Sequence, residues 1–131
     1  MTIAEVSKKY NLTQDTIRYY EKIGLIPEVP RTKSGIRDFD ETSCRWLEFI
    51  KCMRAAGMQI EVLIEYVKLF KEGKETVSAR KNLLVEQRKK LLQKQEEIKT
   101  TIERLDYKIN LYTEIEEGKR KDFLEDINEQ P

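Results

Sequence analysis

The residues of this sequence best suited to covalent chemistry are its two cysteines, Cys44 and Cys52. A thiolate attacks carbonyl carbons and other electrophiles, and it also binds soft metal ions. The chain contains no histidine, so neither a structural zinc site nor a multi-cysteine metal sensor can be assembled within one chain. We therefore predict no metal site, and we expect no cofactor.

The stretch FIKCMRAAGM around Cys52 supports two interpretations. Cys52 falls at the edge of a predicted apolar stripe beside Phe49, where a cysteine usually serves as a small hydrophobic residue. Lys51 and Arg54 would stabilise a reactive thiolate, whereas the negative end of the helix dipole would oppose it. Cys44 falls on the more polar side near the helix start, so exposure would decide its reactivity. The residues alone leave both interpretations open.

The composition favours a mainly helical protein that is not an enzyme. Of the 131 residues 37% are charged, and only five are glycine and three are proline, a balance typical of helices with large solvated faces. There is no glycine-rich phosphate loop, nucleophile elbow or Ser/His/Asp set. Because no apolar run approaches the ~18 residues of a membrane span and no signal peptide is evident, we expect a cytoplasmic protein with no membrane partner.

Two short helices are predicted at the start of the chain. Thr2 opens a capping box with Glu5, and Asn11 ends the helix that follows. Thr13 can then cap a second helix from Gln14 to about Ile23. Two short helices across a tight turn are the arrangement of a helix-turn-helix.

The second helix places polar side chains on its outer face. At about 100° per residue, Ile17 and Tyr20 share the core side of this helix. On the same count Arg18, Tyr19 and Lys22 face outward, and such a face is often merely solvated. An exposed tyrosine beside an arginine also suits a phosphate backbone, because arginine binds phosphate through two hydrogen bonds and tyrosine donates one.

A basic hairpin follows the second helix. Pro27 and Pro30 forbid helix, and residues 33–35 predict a turn between the extended segments 30–32 and 36–39. The basic residues of this hairpin, with no acid between the first and the last, are Arg31, Lys33 and Arg37. A hairpin at this place corresponds to a wing beside a recognition helix, so helix and hairpin together favour DNA binding over a solvated face.

Two further helices precede the longest one. Asp40 can cap a third helix from Glu41 to Ala56, and a fourth runs from about Ile60 to Glu72, where Gly73 stops it. The apolar stripe predicted for the third helix is Trp46, Phe49, Ile50 and Met53.

Between about Ala79 and Gly118 the sequence predicts a helix of roughly 40 residues, too long to bury itself on a small domain. Its apolar residues recur by sevens, which indicates an inter-chain coiled coil rather than a solvated tether. The predicted dimerisation residues are Leu84, Leu91, Ile98, Ile102, Leu105, Ile109 and Tyr112. Arg88 and Gln95 fall at contact positions and favour antiparallel pairing, because a parallel pair in register would oppose each to its own copy.

This order of elements, the run TIRYYEKIGLI and the wing run SGIRDFD resemble the MerR family of bacterial transcription regulators. The resemblance covers residues 2–117 in architecture and is most specific over residues 3–40. It implies a homodimer with a winged helix-turn-helix at each end of an antiparallel coiled coil, bound to double-stranded promoter DNA. Such regulators typically distort a promoter with an over-long spacer, so that RNA polymerase with its housekeeping sigma factor engages both promoter elements.

The resemblance also implies roles for individual residues. Arg18, Tyr19 and Arg37 match positions where the family contacts DNA, and Lys33 is a looser match. The full set of candidate DNA-binding residues is Thr13, Gln14, Thr16, Arg18, Tyr19, Lys22, Lys33 and Arg37. Cys52 resembles the single sensor cysteine of a short-chain branch that responds to aldehydes and other electrophiles. No counterpart of Cys44 follows from the resemblance.

Two other branches of the family fit the sequence poorly. Residues 76–79 are TVSA, without the cysteine that begins the dimerisation helix of the metal sensors. The 13 residues after Gly118 cannot form the ligand domain of the drug-sensing members. The resemblance therefore leaves electrophile sensing at Cys52, with no metal.

We expect three segments: a DNA-binding domain over residues 1–75, a dimerisation helix over 76–118 and a flexible tail over 119–131. The predicted function is transcriptional activation by promoter distortion in response to aldehydes or other thiol-reactive electrophiles. Two alternatives stay open: a regulator of the same family with a non-covalent small-molecule signal, and a coiled-coil adaptor that does not bind DNA.

Overall fold

The structure is a computed structural model that describes residues 1–118, and the predicted tail over 119–131 lies outside the described residues. The α-helices of the described chain are α1 Ile3–Tyr10, α2 Gln14–Lys22, α3 Glu41–Ala55, α4 Ile60–Glu72 and α5 Val77–Glu116. A 3-10 turn, Lys74–Thr76, leads into α5. The chain divides into two compact units, Met1–Arg88 and a second that begins at Lys89. The mainly helical fold is confirmed.

Side-chain caps set the ends of the first two helices as predicted. Thr2 and Glu5 form a reciprocal capping box, and each side chain accepts a 3.1 Å hydrogen bond from the other residue's backbone N–H. Asn11 ends α1 in the left-handed region, at φ 53°. Thr13 accepts a 3.1 Å hydrogen bond from the backbone N–H of Thr16 at the start of α2. Because the caps pair backbone N–H groups that have no partner within the helix, these boundaries are fixed by local sequence.

The core of the first unit draws on the helices and on the loop between α2 and the wing. Its buried residues are Val6, Ile17, Leu25, Ile26, Val29, Phe39, Cys44, Leu47, Ile50, Met58 and Leu63. Leu25, Ile26 and Val29 all come from the loop after α2. That loop is therefore packed against the core, and it holds the wing beside α2.

The helix α3 buries a wider surface than the predicted stripe. Its buried residues are Ser43, Cys44, Leu47 and Ile50, so only Ile50 of the predicted stripe is fully buried. Trp46 and Phe49 are half-buried and contact ring side chains of α4, with the Trp46 and Phe70 ring centroids 5.0 Å apart. The predicted stripe therefore packs on the core and on the rings of α4. The pattern missed the adjoining side of α3 that carries Ser43, Cys44 and Leu47.

Residues 30–39, called the wing from here on, form a minimal hairpin. One isolated antiparallel bridge joins Arg31 to Arg37, and backbone hydrogen bonds of 2.7 Å lie on both sides of it. Gly35 occupies the turn at φ 85°, a left-handed conformation that glycine adopts without steric cost. The predicted turn is confirmed, but its two arms are too short to form regular strands within residues 1–118.

The longest helix, α5, begins slightly before and ends slightly before the predicted limits. Its first turn contacts α4, because the Arg80 guanidinium lies over the Phe70 ring at 5.4 Å from its centroid. No residue of α5 is buried in the single chain. Although α5 has 40 residues, neither it nor any other helix within residues 1–118 is apolar enough over its length to cross a membrane.

The core of the first unit makes a stability prediction. Leu47 has no exposed surface, so Leu47→Ala should lower the free energy of unfolding by about 2–5 kcal/mol, measured by urea denaturation. Ile36→Ala is the matched control, because Ile36 is 61% exposed on the wing and its loss should change stability by less than about 0.5 kcal/mol. Equal losses in the two variants would contradict the assigned core.

Candidate nucleic-acid interface

The helix α2 presents the predicted polar face to solvent. Ile17 is buried and Tyr20 half-buried, whereas Arg18, Tyr19 and Lys22 are all exposed. Tyr19 has 52% of its surface exposed, a large fraction for an aromatic residue in the middle of a short helix. The core side and the outer side of α2 are therefore placed as the helical periodicity predicts.

The outer arginine of α2 is held by weak local contacts. Arg18 donates through Nη1 to Asp15 at 3.1 Å and through Nη2 to the side-chain oxygen of Gln14 at 3.2 Å. The carboxylate of Asp15 is 97% exposed, and exposed ion pairs contribute only about 0–1 kcal/mol. A phosphate could replace these partners at little cost.

The other candidate residues at the start of α2 hold the helix itself. Thr13 is the N-cap, and its hydroxyl lies 2.7 Å from that of Thr16. Gln14 accepts the hydrogen bond from Arg18. The structure thus brings the three residues together at one helix end, where their side chains already have structural partners.

The cations of the wing differ in how they are held. Lys33 is exposed near the tip, and Arg31 donates through Nη1 to the carbonyl of Gly35 at 2.8 Å within the hairpin. Arg37 is half-buried, and its Nε donates to Oε1 of Glu21 at 2.7 Å. The wing is therefore joined to α2 by an ion pair as well as by the packed loop.

Glu21 is a residue of this interface that the sequence analysis missed. Helical periodicity places it on the core side of α2, together with Ile17 and Tyr20. A carboxylate on a core side needs a cation or several hydrogen-bond donors, because burying an unpaired charge is costly. This need for a partner was the signal in the sequence that could have identified Glu21. The basic wing was the nearest segment that could supply the cation.

The structure shows which of the two cysteines is exposed. Cys44 was expected on the polar side of its helix, but it is buried with 8% of its surface exposed, while Cys52 is exposed. The expectation for Cys44 was wrong because the first turn of α3 packs its Ser43 and Cys44 side towards α1. Burial, and then a hydrogen bond with the Cys44 thiol, raise the pKa of Tyr10 in α1.

The predicted dimerisation residues lie open along α5. Leu91 is half-buried, and the other six are between 36% and 61% exposed. These residues are Leu84, Leu91, Ile98, Ile102, Leu105, Ile109 and Tyr112. A row of apolar side chains at coiled-coil spacing is thus left without a covering surface in the single chain.

An aromatic recess lies between α3 and α4. It has a volume of about 230 Å³ and is lined by Thr42, Arg45, Trp46, Phe49 and Tyr66. The ring centroids of Phe49 and Tyr66 are 5.6 Å apart. Such a recess has the composition of a site for an apolar or aromatic small molecule.

Comparison with known proteins identifies the class of protein that this arrangement defines. Residues 1–69 match the description "MerR HTH family regulatory protein", and residues 44–107 match "MerR, DNA binding". The HTH-type transcriptional regulator AdhR of Bacillus subtilis (strain 168) is 58% identical over 93 residues, which are 71% of this chain. The match spans 66% of that relative's own length, just under two thirds.

Two solved structures are similar over most of this chain. A protein from Listeria monocytogenes assigned to the MerR family of transcriptional regulators has a TM-score of 0.87 at 42% identity, covering 98% of this chain and 96% of that one. HiNmlR, described as a MerR family regulator lacking the sensor domain and bound to promoter DNA, has a TM-score of 0.80 at 28% identity, covering 88% and 91%.

The chain belongs to the MerR family of helix-turn-helix regulatory proteins. This family consists of DNA-binding transcription regulators and not of enzymes, so the resemblance found in the sequence is confirmed. The alternative of a coiled-coil adaptor that does not bind DNA loses support, because residues 1–69 match a helix-turn-helix regulatory protein and residues 44–107 match a MerR DNA-binding description.

The exposure of the two thiols gives a direct chemical prediction. A maleimide should label Cys52 of the folded protein quickly, whereas Cys44 should react only after a denaturant is added. Peptide mass spectrometry of a time course measures both rates in one sample. The variant Cys52→Ser should show no fast labelling, and equal labelling of Cys44 and Cys52 in the folded protein would contradict the structure.

Proposed function

We propose that this protein binds promoter DNA as a homodimer, with α2 as the recognition helix and residues 30–39 as the wing. One observation carries the proposal. Within a single packed unit, α2 exposes Arg18, Tyr19 and Lys22, and the wing joined to it by an ion pair exposes Lys33. Cations and a phenol on two adjoining elements match the phosphate groups on either side of a groove.

The outer residues of α2 have distinct roles in this proposal. Arg18 exchanges its solvent-exposed partner Asp15 for a phosphate, to which a guanidinium binds through two parallel hydrogen bonds. Tyr19 donates its hydroxyl hydrogen to a phosphate oxygen, and its ring packs on the sugar. These contacts fix the position of α2 on the duplex, and they make affinity depend on salt.

The apolar row of α5 supports the homodimer. Five of its members, from Ile98 to Tyr112, follow one another at alternating spacings of four and three residues, which is the spacing of a coiled-coil seam. Pairing with a second copy buries both rows at once, and each apolar Å² removed from water contributes roughly 25 cal/mol. A second copy of the chain is the simplest partner, because one sequence then supplies both apolar surfaces.

The charges of α5 support antiparallel pairing. From Val77 to Lys94 there are six Lys or Arg and one Glu, while from Gln95 to Glu116 there are three Lys or Arg and six Asp or Glu. The first turn has no acidic residue and the last turn no basic one, so this pattern does not serve the helix's own dipole. An antiparallel pair places each basic half beside an acidic half, whereas a parallel pair would place like charges together.

Promoter distortion is the proposed regulatory step. The helix α5 has 40 residues, about 60 Å at 1.5 Å per residue, so a rigid pair of such helices keeps its two DNA-binding units at a fixed separation. A duplex whose half-sites do not match that separation must untwist or bend to contact both, at a cost on the order of 1–6 kcal/mol. Distortion of an over-long spacer would let RNA polymerase engage both promoter elements through the DNA alone.

The proposed signal is an electrophile that reacts with Cys52. Its thiol releases a proton to water, the thiolate attacks the carbonyl carbon of an aldehyde, and a carbon–sulfur bond forms. The carbonyl π electrons move to oxygen, which takes up a proton from water to give a hemithioacetal. The exposure of Cys52 supports this step. The neighbouring Lys51 donates to the carbonyl of Tyr10 at the end of α1. An adduct at Cys52 therefore lies one residue from a contact that holds α1, and through it the helix-turn-helix.

A non-covalent signal is the second candidate. The observation that favours it is the aromatic recess of about 230 Å³ beside Trp46, which is large enough for a small apolar ligand. This recess needs no cysteine. The two signals therefore differ in what the loss of Cys52 does to the response.

The proposed docking face predicts the effect of Arg18→Ala. The variant should bind all duplexes more weakly and reduce the slope of log affinity against log salt by about one unit, because one phosphate contact is lost. Mobility shifts at rising salt measure both quantities. Arg45→Ala is the matched control, because Arg45 is also an exposed helical arginine paired with a carboxylate. This variant should keep the wild-type affinity and the wild-type salt slope.

Two results would contradict this account. An Arg18→Ala variant with wild-type affinity and slope would show that α2 does not dock as proposed. A wild-type chain that shifts no duplex at any salt concentration would show that the chain does not bind DNA at all, as the adaptor alternative expected.

The electrophile proposal predicts the effect of Cys52→Ser on induction. Output from a reporter fused to the region upstream of the protein's own gene should rise with formaldehyde in the wild type and stay flat in Cys52→Ser. Cys44→Ala should keep the response, because Cys44 is buried. An undiminished response in Cys52→Ser would remove the thiol from the mechanism and favour the non-covalent signal.

A further inference from the structure

The carboxylate of Glu21 joins three parts of the DNA-binding unit. It belongs to α2, and only 11% of the side chain is exposed. Its Oε1 accepts a 2.7 Å hydrogen bond from Nε of Arg37 in the wing. Its Oε2 accepts a 2.6 Å hydrogen bond from the backbone N–H of Val29, in the buried loop between the two. Helix, loop and wing thus meet at one side chain.

The ion pair uses only one of the donors of Arg37. A guanidinium carries five N–H groups in one plane, of which four belong to Nη1 and Nη2. Within residues 1–118 no protein group accepts a hydrogen bond from either Nη atom of Arg37. Because the group is planar, a partner at Nε also fixes the direction in which the two Nη groups point.

Arg37 is held differently from the other cations of the wing. Arg31 is bound to the carbonyl of Gly35 in its own hairpin, which does not relate it to α2. Lys33 is exposed near the tip, and its side chain has many rotamers to lose on binding. Within the described residues, Arg37 is the wing cation whose position is set by the recognition helix.

We propose that Glu21 is a positioning residue for DNA binding, which holds Arg37 by Nε so that its Nη groups meet a phosphate at a fixed place relative to α2. This inference rests on the proposed function, because it assumes that α2 and the wing bind one duplex. A side chain that is ordered before binding loses less conformational entropy when it binds, and this raises affinity.

The charge of Glu21 allows positioning to be separated from electrostatics. A carboxylate near DNA repels phosphate, so on long-range electrostatics alone its neutralisation should tighten binding. If Glu21 instead positions Arg37, its neutralisation should weaken DNA binding, because a neutral amide holds the guanidinium less firmly. The direction of the change therefore decides between the two.

The experiment is a titration of a duplex from the region upstream of the gene with wild type and Glu21→Gln. The variant keeps an oxygen that can accept from the Val29 N–H, and we expect roughly tenfold weaker binding, the size of one lost charge-assisted hydrogen bond. Glu28→Gln is the matched control. Glu28 is exposed in the same loop, so the same change of charge should leave affinity equal or slightly tighter.

A second pair of variants shows whether the effect passes through Arg37. In an Arg37→Gln background, Glu21→Gln should cause no further loss, because there is no guanidinium left to position. A loss of the same size in that background would mean that Glu21 acts independently of Arg37, and this would overturn the inference. Thermal unfolding of the wild type, the two single variants and the double variant shows whether the compared chains are folded.

Arg37→Lys tests the same point without changing Glu21. Lysine keeps the charge, but its three donors lie on one nitrogen and do not form a plane that Glu21 can orient, so binding should be weaker than in the wild type. Wild-type affinity in Arg37→Lys, or equal or tighter binding in Glu21→Gln, would overturn the inference while the proposed function stands. Failure of the wild type to bind the duplex would overturn both.

Discussion

The structure depends on an apolar surface that one chain cannot bury. The helix α5 has 40 residues and none of them is buried, while its seam residues from Ile98 to Tyr112 lie open to water. A monomer would leave these apolar side chains in contact with water, whereas pairing with a second copy would bury them. The proposed homodimer, its two DNA-binding units and their fixed separation all follow from the burial of this one row, with the opposite charges of the two halves of α5 selecting the orientation.

The DNA-binding unit has a different organisation, because its parts are joined before any DNA is present. Buried residues of the loop after α2 hold the wing against the core, and Glu21 connects α2, Val29 and Arg37. The cations that contact phosphate in the proposal are therefore carried by a packed scaffold. In the proposed function, a DNA-binding unit that keeps its shape leaves the required adjustment to the duplex.

Local signals in the sequence were sufficient for much of this fold. Capping residues such as Thr2 and Thr13 placed the helix starts, and the limits of α4 were predicted as found. What failed depended on packing between distant segments. Cys44 is buried because α3 has two apolar sides, which one periodicity cannot show. The Glu21 and Arg37 pair spans 16 residues, and only the folded wing brings its members together.

The orientation of the paired α5 helices tests the central claim most directly. A spin label on Ser78→Cys, in a Cys52→Ser background, marks the start of α5 in each chain, and pulsed electron spin resonance measures the distance between the two labels. Antiparallel pairing predicts about 50–60 Å, because the two starts lie at opposite ends of helices that rise 1.5 Å per residue. A distance near 10 Å, the spacing of adjacent helices, or the absence of any coupling would contradict the account.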